Sequence, residues 1–301
     1  MAKNPTGDRE IRVRSVDQLF KEVFFDSRDE QIGRIRSPFA FRGMGDARYE
    51  LKTSLIRLGG NIATLEGHLL RNFRKYAHRD VVERDTFWHW LTTAQHHGLP
   101  TRLLDWTYSP LVAMHFATID PSSSADAVIW MVDYVQANRG VPDNLSAKIR
   151  DEGCNVFTID MLARFDIEKR LPSLTTSYTV EVESLRAFDS LPRPEFLLFF
   201  EPPSIDDRIV NQFALFSVIP SPTTTVDSLL KSHPDWYRKI IIPARLKWDL
   251  RDRLDQMNVT ERVLFPGLDG LTGWLKRHYG PKEHQSPSPV NRRGAADIPG
   301  A

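Results

Sequence analysis

The chain has 301 residues, 41% of them hydrophobic and 26% charged, a balance that supports a sizeable buried core. Its 40 basic and 39 acidic residues leave a formal charge of +1, which argues against a general nucleic-acid-binding surface and leaves room only for a local basic patch. The single cysteine, Cys154, excludes an intramolecular disulfide and argues against a cysteine-based zinc site, so no metal is expected.

In chain order, residues 1–14 are polar, lack the apolar stretch of a signal peptide and read as a flexible N-terminus. Ser15 with Gln18 forms a capping box, and Val16, Leu19, Phe20, Val23 and Phe24 continue it as a helix to about Asp26. Ser37 to Phe41 reads as a short strand ending in Arg42-Gly43. A helix is expected over Thr64 to Arg79, with Leu65, Leu69, Phe73 and Tyr76 on its apolar face.

The next stretch is the densest in polar side chains. Gln95-His96-His97-Gly98-Leu99-Pro100-Thr101-Arg102-Leu103-Leu104-Asp105-Trp106-Thr107 mixes titratable and hydrogen-bonding groups with large apolar ones. Apolar neighbours imply burial, and buried polar groups must be paired, so the segment reads as a site or a tightly bonded corner. Asp85 is the expected N-cap of the helix before it, Gly98 its left-handed terminator, and Pro100 the residue that stops it resuming. His96 and His97 then fall in the last turn, where the helix dipole favours a protonated imidazole. Thr101 to Trp106 runs extended, and Ser109-Pro110 opens a new helix to about Thr118.

Ala127 to Val132 reads as a buried strand. Residues 133–194 are weakly patterned, with helices near Leu145 to Arg150 and Ile159 to Phe165, and are read as an insertion or a flap. Phe196 to Phe200, Phe213 to Ile219 and Ile240 to Ile242 are further strands, and Ala244 to Met257 and Leu271 to His278 are helices. Between two of those strands lies a second polar knot, Asp206-Asp207-Arg208-Ile209-Val210-Asn211-Gln212. Residues 280–301 are rich in Pro, Ser, Gly and Arg and read as a disordered tail. No apolar run approaches the about 20 residues that span a bilayer, so a cytoplasmic location away from membranes is expected.

The irregular mixture of strands and helices favours an α+β fold, a single mixed domain over residues 15–279 with a central, largely antiparallel sheet and flanking helices. Dinucleotide-fingerprint, P-loop, His-Glu-x-x-His and Gly-x-Ser-x-Gly motifs are all lacking, which removes the standard forms of several enzyme classes.

Phe41-Arg42-Gly43, Ser54-Leu55-Ile56-Arg57, Ala94 to Thr107 with Ser109-Pro110-Leu111-Val112-Ala113, Arg208-Ile209 with Gln212 and Phe216, and Leu264 to Gly270 occur in an order that resembles the FRG domain family. The order of blocks is also similar to that of ADP-ribosyltransferases, which implies a split sheet, NAD as substrate, and a protein or nucleic-acid acceptor. On that resemblance Arg42 binds phosphate beside Gly43, Thr101 and Thr107 supply strand hydroxyls, and Gln212 with Arg208 stands where such enzymes carry a glutamate. An intracellular toxin or antiviral effector would fit the family's setting.

Three functions stay open at this level. One is an enzyme acting on NAD or another nucleotide or nucleic-acid phosphate, as a transferase or glycohydrolase. In it Arg42, Arg102 and Arg208 bind phosphate, His96 is acid or base oriented by Asp105, and Gln212 positions a ribose. The others are a non-catalytic sensor of a nucleotide or other phosphorylated ligand, and an interaction module whose polar motif is structural.

Overall fold

A computed structural model describes residues 9–77, 84–170, 180–191, 195–204 and 206–282. Residues 1–8, those after Lys282, the end of the helix expected to reach Arg79 and parts of the 133–194 stretch lie outside the described residues. The rest of the start expected to be flexible is ordered, with Glu10–Arg12 paired in the sheet and Val13 buried.

Ten strands are described: β1 Glu10–Arg12, β2 Arg28–Asp29, β3 Arg34–Ile35, β4 Phe39–Met44, β5 Leu104–Thr107, β6 Ala127–Asp133, β7 Phe157–Thr158, β8 Leu198–Glu201, β9 Ala214–Val218 and β10 Tyr237–Ile242. Eight form one sheet in the order β1-β10-β6-β4-β5-β9-β8-β7, while β2 and β3 make a separate hairpin. Only the outer pairs, β1 with β10 and β7 with β8, are parallel. The fold is thus the expected α+β domain with a largely antiparallel sheet. β6 is buried at every position, as its unbroken apolar run requires of a strand covered on both faces. Among the described residues no helix is long and apolar enough to cross a membrane.

Helices Val16–Val23, Pro110–Ala117 and Lys247–Gln256 cover Phe39, Phe41, Ile129, Met131 and Ile240 on one face. Ala40, Trp106, Val128 and Leu215 face the opposite layer, with Leu229 and Leu230. A third cluster joins Leu91, Leu103, Phe200 and Phe216 to Leu145, Phe157, Leu162, Leu185 and Phe188. The described part of 133–194, expected as an insertion or a flap, contributes buried residues to this cluster. Its inward residues Ile159 and Leu162, and Leu185 and Phe188, are three apart, so each pair turns one helix face inward.

Gly43 lies inside β4, not after its end. A Cβ there would stand 1.8 Å from the Ala113 carbonyl oxygen and 2.7 Å from the Ala117 backbone nitrogen. The missing side chain lets helix Pro110–Ala117 lie directly on the strand, and buried Ala113 and Ala117 complete the fit. What approaches Gly43 is backbone.

Behind that helix a buried charge cluster ties down the C-terminus. Arg251, fully buried, donates to the His115 carbonyl at 3.2 Å and to Glu261 at 2.5 Å. Arg277 binds Glu261 through Nε and Nη2 at 2.8 Å and Asp255 through Nη1 and Nη2 at 2.7 Å. Helix Leu268–Tyr279 is thereby anchored to helix Lys247–Gln256. Burial, and then the charge of Arg251, hold the His115 imidazole well below the ordinary histidine value of 6.5, so it is neutral in the folded chain.

Two outcomes follow from this packing. Gly43→Ala should cost about 3 kcal/mol, since backbone rather than a flexible side chain must yield; an unchanged urea midpoint would contradict the contact. For His115, the unfolded chain takes up a proton below pH 6.5 that the folded chain refuses. Stability should therefore fall as pH drops from 6.5 towards 4.5, by about 1.4 kcal/mol per pH unit for this one proton. Urea titrations of His115→Gln should show a shallower decline over the same range.

Candidate functional site

β4 pairs with β6 along its whole length, from Phe39↔Asp133 to Met44↔Val128, but with β5 only at Phe41↔Thr107. Where β4 and β5 part, a cavity of about 680 Å³ opens in the middle of the sheet. Phe41, Trp106, Phe116 and Phe216 give it aromatic walls, and Arg42, Asp105, His96, His97, Arg208 and Gln212 line it with polar groups.

Helix Phe87–His96 delivers the two histidines. Its N-cap is Thr86, whose hydroxyl accepts from the His89 backbone at 3.4 Å. Asp85, the residue expected there, instead accepts from Trp90 Nε1 and pairs with Arg74, both at 2.7 Å. At the other end Gly98 (φ 82°) donates to the Gln95 carbonyl and Leu99 to the Ala94 carbonyl, closing a Schellman turn. This turn faces residues 95–99 into the cavity.

Arg42 occupies the gap between the strands. Its Nη1 donates to the Asp105 carbonyl and stands 3.8 Å from the Asp105 carboxylate. The side chain is 18% exposed, and its buried Nε has no hydrogen-bond partner among the described residues. Burial pulls its pKa down from the ordinary arginine value, the Asp105 charge opposes this, and Arg57 adds to it.

Gln95 holds Asp105 in place. Its Nε2 donates to Oδ1 at 3.0 Å and Oδ2 at 3.1 Å, and its Oε1 accepts from the Thr101 hydroxyl at 2.5 Å. The Thr101 hydroxyl also accepts from the Leu103 backbone, so it is a buried strut outside the cavity lining. Thr107 lines the cavity, yet its hydroxyl donates to the Gln212 carbonyl at 2.7 Å and accepts from the Ser109 backbone. Neither strand hydroxyl stands unbonded.

His96 pairs through Nε2 with Asp206, not with Asp105 as expected from the sequence. Burial lowers its pKa below 6.5, Asp206 opposes, and Arg208 and His97 reinforce the lowering. The direction is opposite to the protonated imidazole expected from the helix dipole, and burial is its largest cause. Asp206 also caps the short helix Asp207–Asn211 by accepting from the Ile209 backbone. That helix leans on the turn after Glu261. Asn211 Nδ2 donates to the Val263 carbonyl at 2.9 Å, Gln212 Nε2 to the Leu264 carbonyl at 2.8 Å, and the Arg208 guanidinium lies 5.3 Å from the Phe265 ring centre.

Arg102 is the clear correction. It is 4% exposed and does not line the cavity. It bonds Glu66 through Nε and Nη2, Asp189 through Nη1 at 2.5 Å, and the Pro220 carbonyl at 2.9 Å. Burial would favour its neutral form, but the two carboxylates more than reverse that. The residue joins helices Ile62–Tyr76 and Val180–Asp189 and is not placed to bind phosphate. The structure thus gathers Arg42, Gly43, His96, Asp105, Thr107, Arg208 and Gln212 around one cavity and leaves Thr101 and Arg102 beneath it. Sequence reasoning gave no role to Gln95 or Asp206, although both lie inside the polar stretches it singled out. Among the described residues no three of His, Cys, Asp and Glu gather to hold a metal ion.

Arg102→Ala would leave Glu66 buried with its partner gone, so chemical denaturation should show a loss of about 3 kcal/mol or more. A loss below about 1 kcal/mol, the level of an exposed pair, would show that the cluster does not hold these helices together.

No curated protein and no solved structure matches the chain. Residues 37–126 match the family model described as the FRG domain. That span holds β4, β5, helix Pro110–Ala117 and the Gln95 to Thr107 turn, and so the near side of the cavity, while Arg208, Gln212 and Leu264 lie beyond it. The FRG domain match thus begins just before β4 and takes in Phe41-Arg42-Gly43 near its start, over residues 37–126 of the chain.

Proposed function

We propose that the cavity binds a nucleotide through its phosphate and that NAD is the ligand, cleaved at the bond between nicotinamide and ribose. The observation that carries this reading is Arg42, a guanidinium set in the cavity wall with a buried Nε that has no partner among the described residues. A planar, always charged fork with unspent donors suits phosphate. The aromatic walls suit a planar heterocycle. Asp105 is the one carboxylate among the lining residues, and Gln95 holds both its oxygens.

In this reading the C–N bond breaks with its electron pair leaving on the nicotinamide nitrogen, which becomes neutral. The ribose is left as an oxocarbenium ion, and the Asp105 carboxylate stabilises its charge. An oxygen of water or of an acceptor then bonds to the ribose carbon and gives up its proton. His96 suits that proton: it stays neutral below the usual histidine range, and with Nε2–H directed at Asp206 its Nδ1 is the atom left to accept.

A second reading, a sensor that binds a nucleotide without turnover, is favoured by Gln212. Its amide is committed to the Leu264 carbonyl, and no glutamate stands among the lining residues to replace it.

Incubation with NAD separates the two. Free nicotinamide read from the supernatant, or an ADP-ribose added to the protein mass, should appear with the unaltered chain and vanish with Arg42→Ala and with Asp105→Asn. Stabilisation by NAD without release would favour the sensor. Release undiminished in Arg42→Ala would overturn the placement of the phosphate.

A further inference from the structure

The second phosphate-binding arginine expected from sequence, Arg102, is committed to the core. A diphosphate presents charge on two adjacent phosphoryl groups, and one guanidinium fork serves only one of them well. Arg42 has already given one donor to the Asp105 carbonyl. Arg208 lines the opposite wall, with its guanidinium 5.3 Å from the Phe265 ring centre, and on the Arg42 side the short helix Ser54–Leu58 offers a fork. Ser54 lines the cavity, and Arg57, three residues on, is exposed at its rim rather than part of the lining, on the same side of the helix.

That helix is held firmly against the site. The Thr53 hydroxyl caps it by accepting from the Ile56 backbone at 3.2 Å. The Leu55 backbone donates to the Thr101 carbonyl at 3.1 Å, and the Thr101 backbone donates to the Ser54 hydroxyl at 3.1 Å. Leu55 is fully buried, and Gly59 (φ 76°) with Gly60 (φ 78°) turns the chain away immediately after. Arg57 Nη2 donates to the Lys52 carbonyl at 2.9 Å, which fixes one edge of the guanidinium. The other edge makes no hydrogen bond among the described residues.

We propose that Arg57 and Arg42 form a two-guanidinium clamp for the diphosphate of the ligand, so that the site prefers nucleoside diphosphates and dinucleotides to monophosphates. This deepens the nucleotide reading above and rests on it. The two charges are close enough to oppose each other: after burial and the counteracting Asp105, Arg57 is the next influence on the Arg42 pKa, and it lowers it. A dianionic group between them turns that repulsion into attraction.

Calorimetric titration of the full chain with AMP, ADP and NAD tests the clamp. Arg57→Ala should weaken ADP and NAD about tenfold, equivalent to about 1.4 kcal/mol, and leave AMP unchanged. Arg57→Gln, which keeps the stem, should behave alike, and unchanged melting temperatures would show that both variants fold. An equal loss for all three ligands, or no loss for any, would overturn the clamp. Arg42→Ala reports separately on the nucleotide reading. If it binds all three as the unaltered chain does, that reading fails; if it loses all three while Arg57→Ala loses none, only the clamp fails.

Discussion

The Arg42 guanidinium bonds the Asp105 carbonyl at the point where β4 and β5 stop pairing, and much of the domain is arranged around that contact. In continuous register Asp105 would lie opposite Gly43, and its carbonyl would take a backbone donor. With the strands parted, a side chain supplies the donor instead, so the Asp105 carbonyl is not left without a partner. The same substitution of side chain for backbone creates the cavity. The Phe-Arg-Gly tripeptide then divides three tasks among three residues. Phe41 holds the last paired position and enters the core, Arg42 spans the opening, and Gly43 admits the helix that seals one side.

The far wall depends on a different set of forces. Helix Asp207–Asn211 is too short to be stable alone and is fixed at both ends by its neighbours. Asp206 meets His96 at one end, and Asn211 and Gln212 reach the Val263 and Leu264 carbonyls at the other. Those carbonyls are in place because Arg251 and Arg277 converge on Glu261. Burying so many charges is costly, and here each carboxylate meets a guanidinium with matched geometry. The polarity of the cavity is thus supported from underneath by ion pairs that never reach it.

The fold class, the six longer strands and the helix around Phe87–His96 were legible in the sequence because each rests on local periodicity and local punctuation, whereas β1, β2, β3 and β7, two or three residues each, are too short to carry a period. Ser15, Gly98 and Ser109 do at close range what their residue types allow. Much of the cavity lining was legible too, since its groups cluster in two short stretches. Partnership across the chain was not. Arg102 and Glu66 are 36 residues apart and Arg102 and Asp189 are 87 apart, and no local pattern announces either bond. The same blindness assigned His96 to Asp105, the nearest carboxylate in sequence, when Asp206 is nearer in space. The packing of residues 133–194 leaves only a weak pattern in the sequence because its apolar pairs are spaced singly among charged residues.

The bond from Gln212 to the Leu264 carbonyl also sets an order of assembly. A ribosome releases the chain from its N-terminus, so β4, β5 and the histidine turn emerge long before residues 261–279. Until Leu264 and the Arg277 anchor behind it are free of the exit tunnel, the short helix carrying Arg208 has nothing to lean on, and the cavity is a groove open on one side. Release of residues 261–279 from the tunnel therefore supplies the support of that wall, and a nascent chain that stops short of them lacks it.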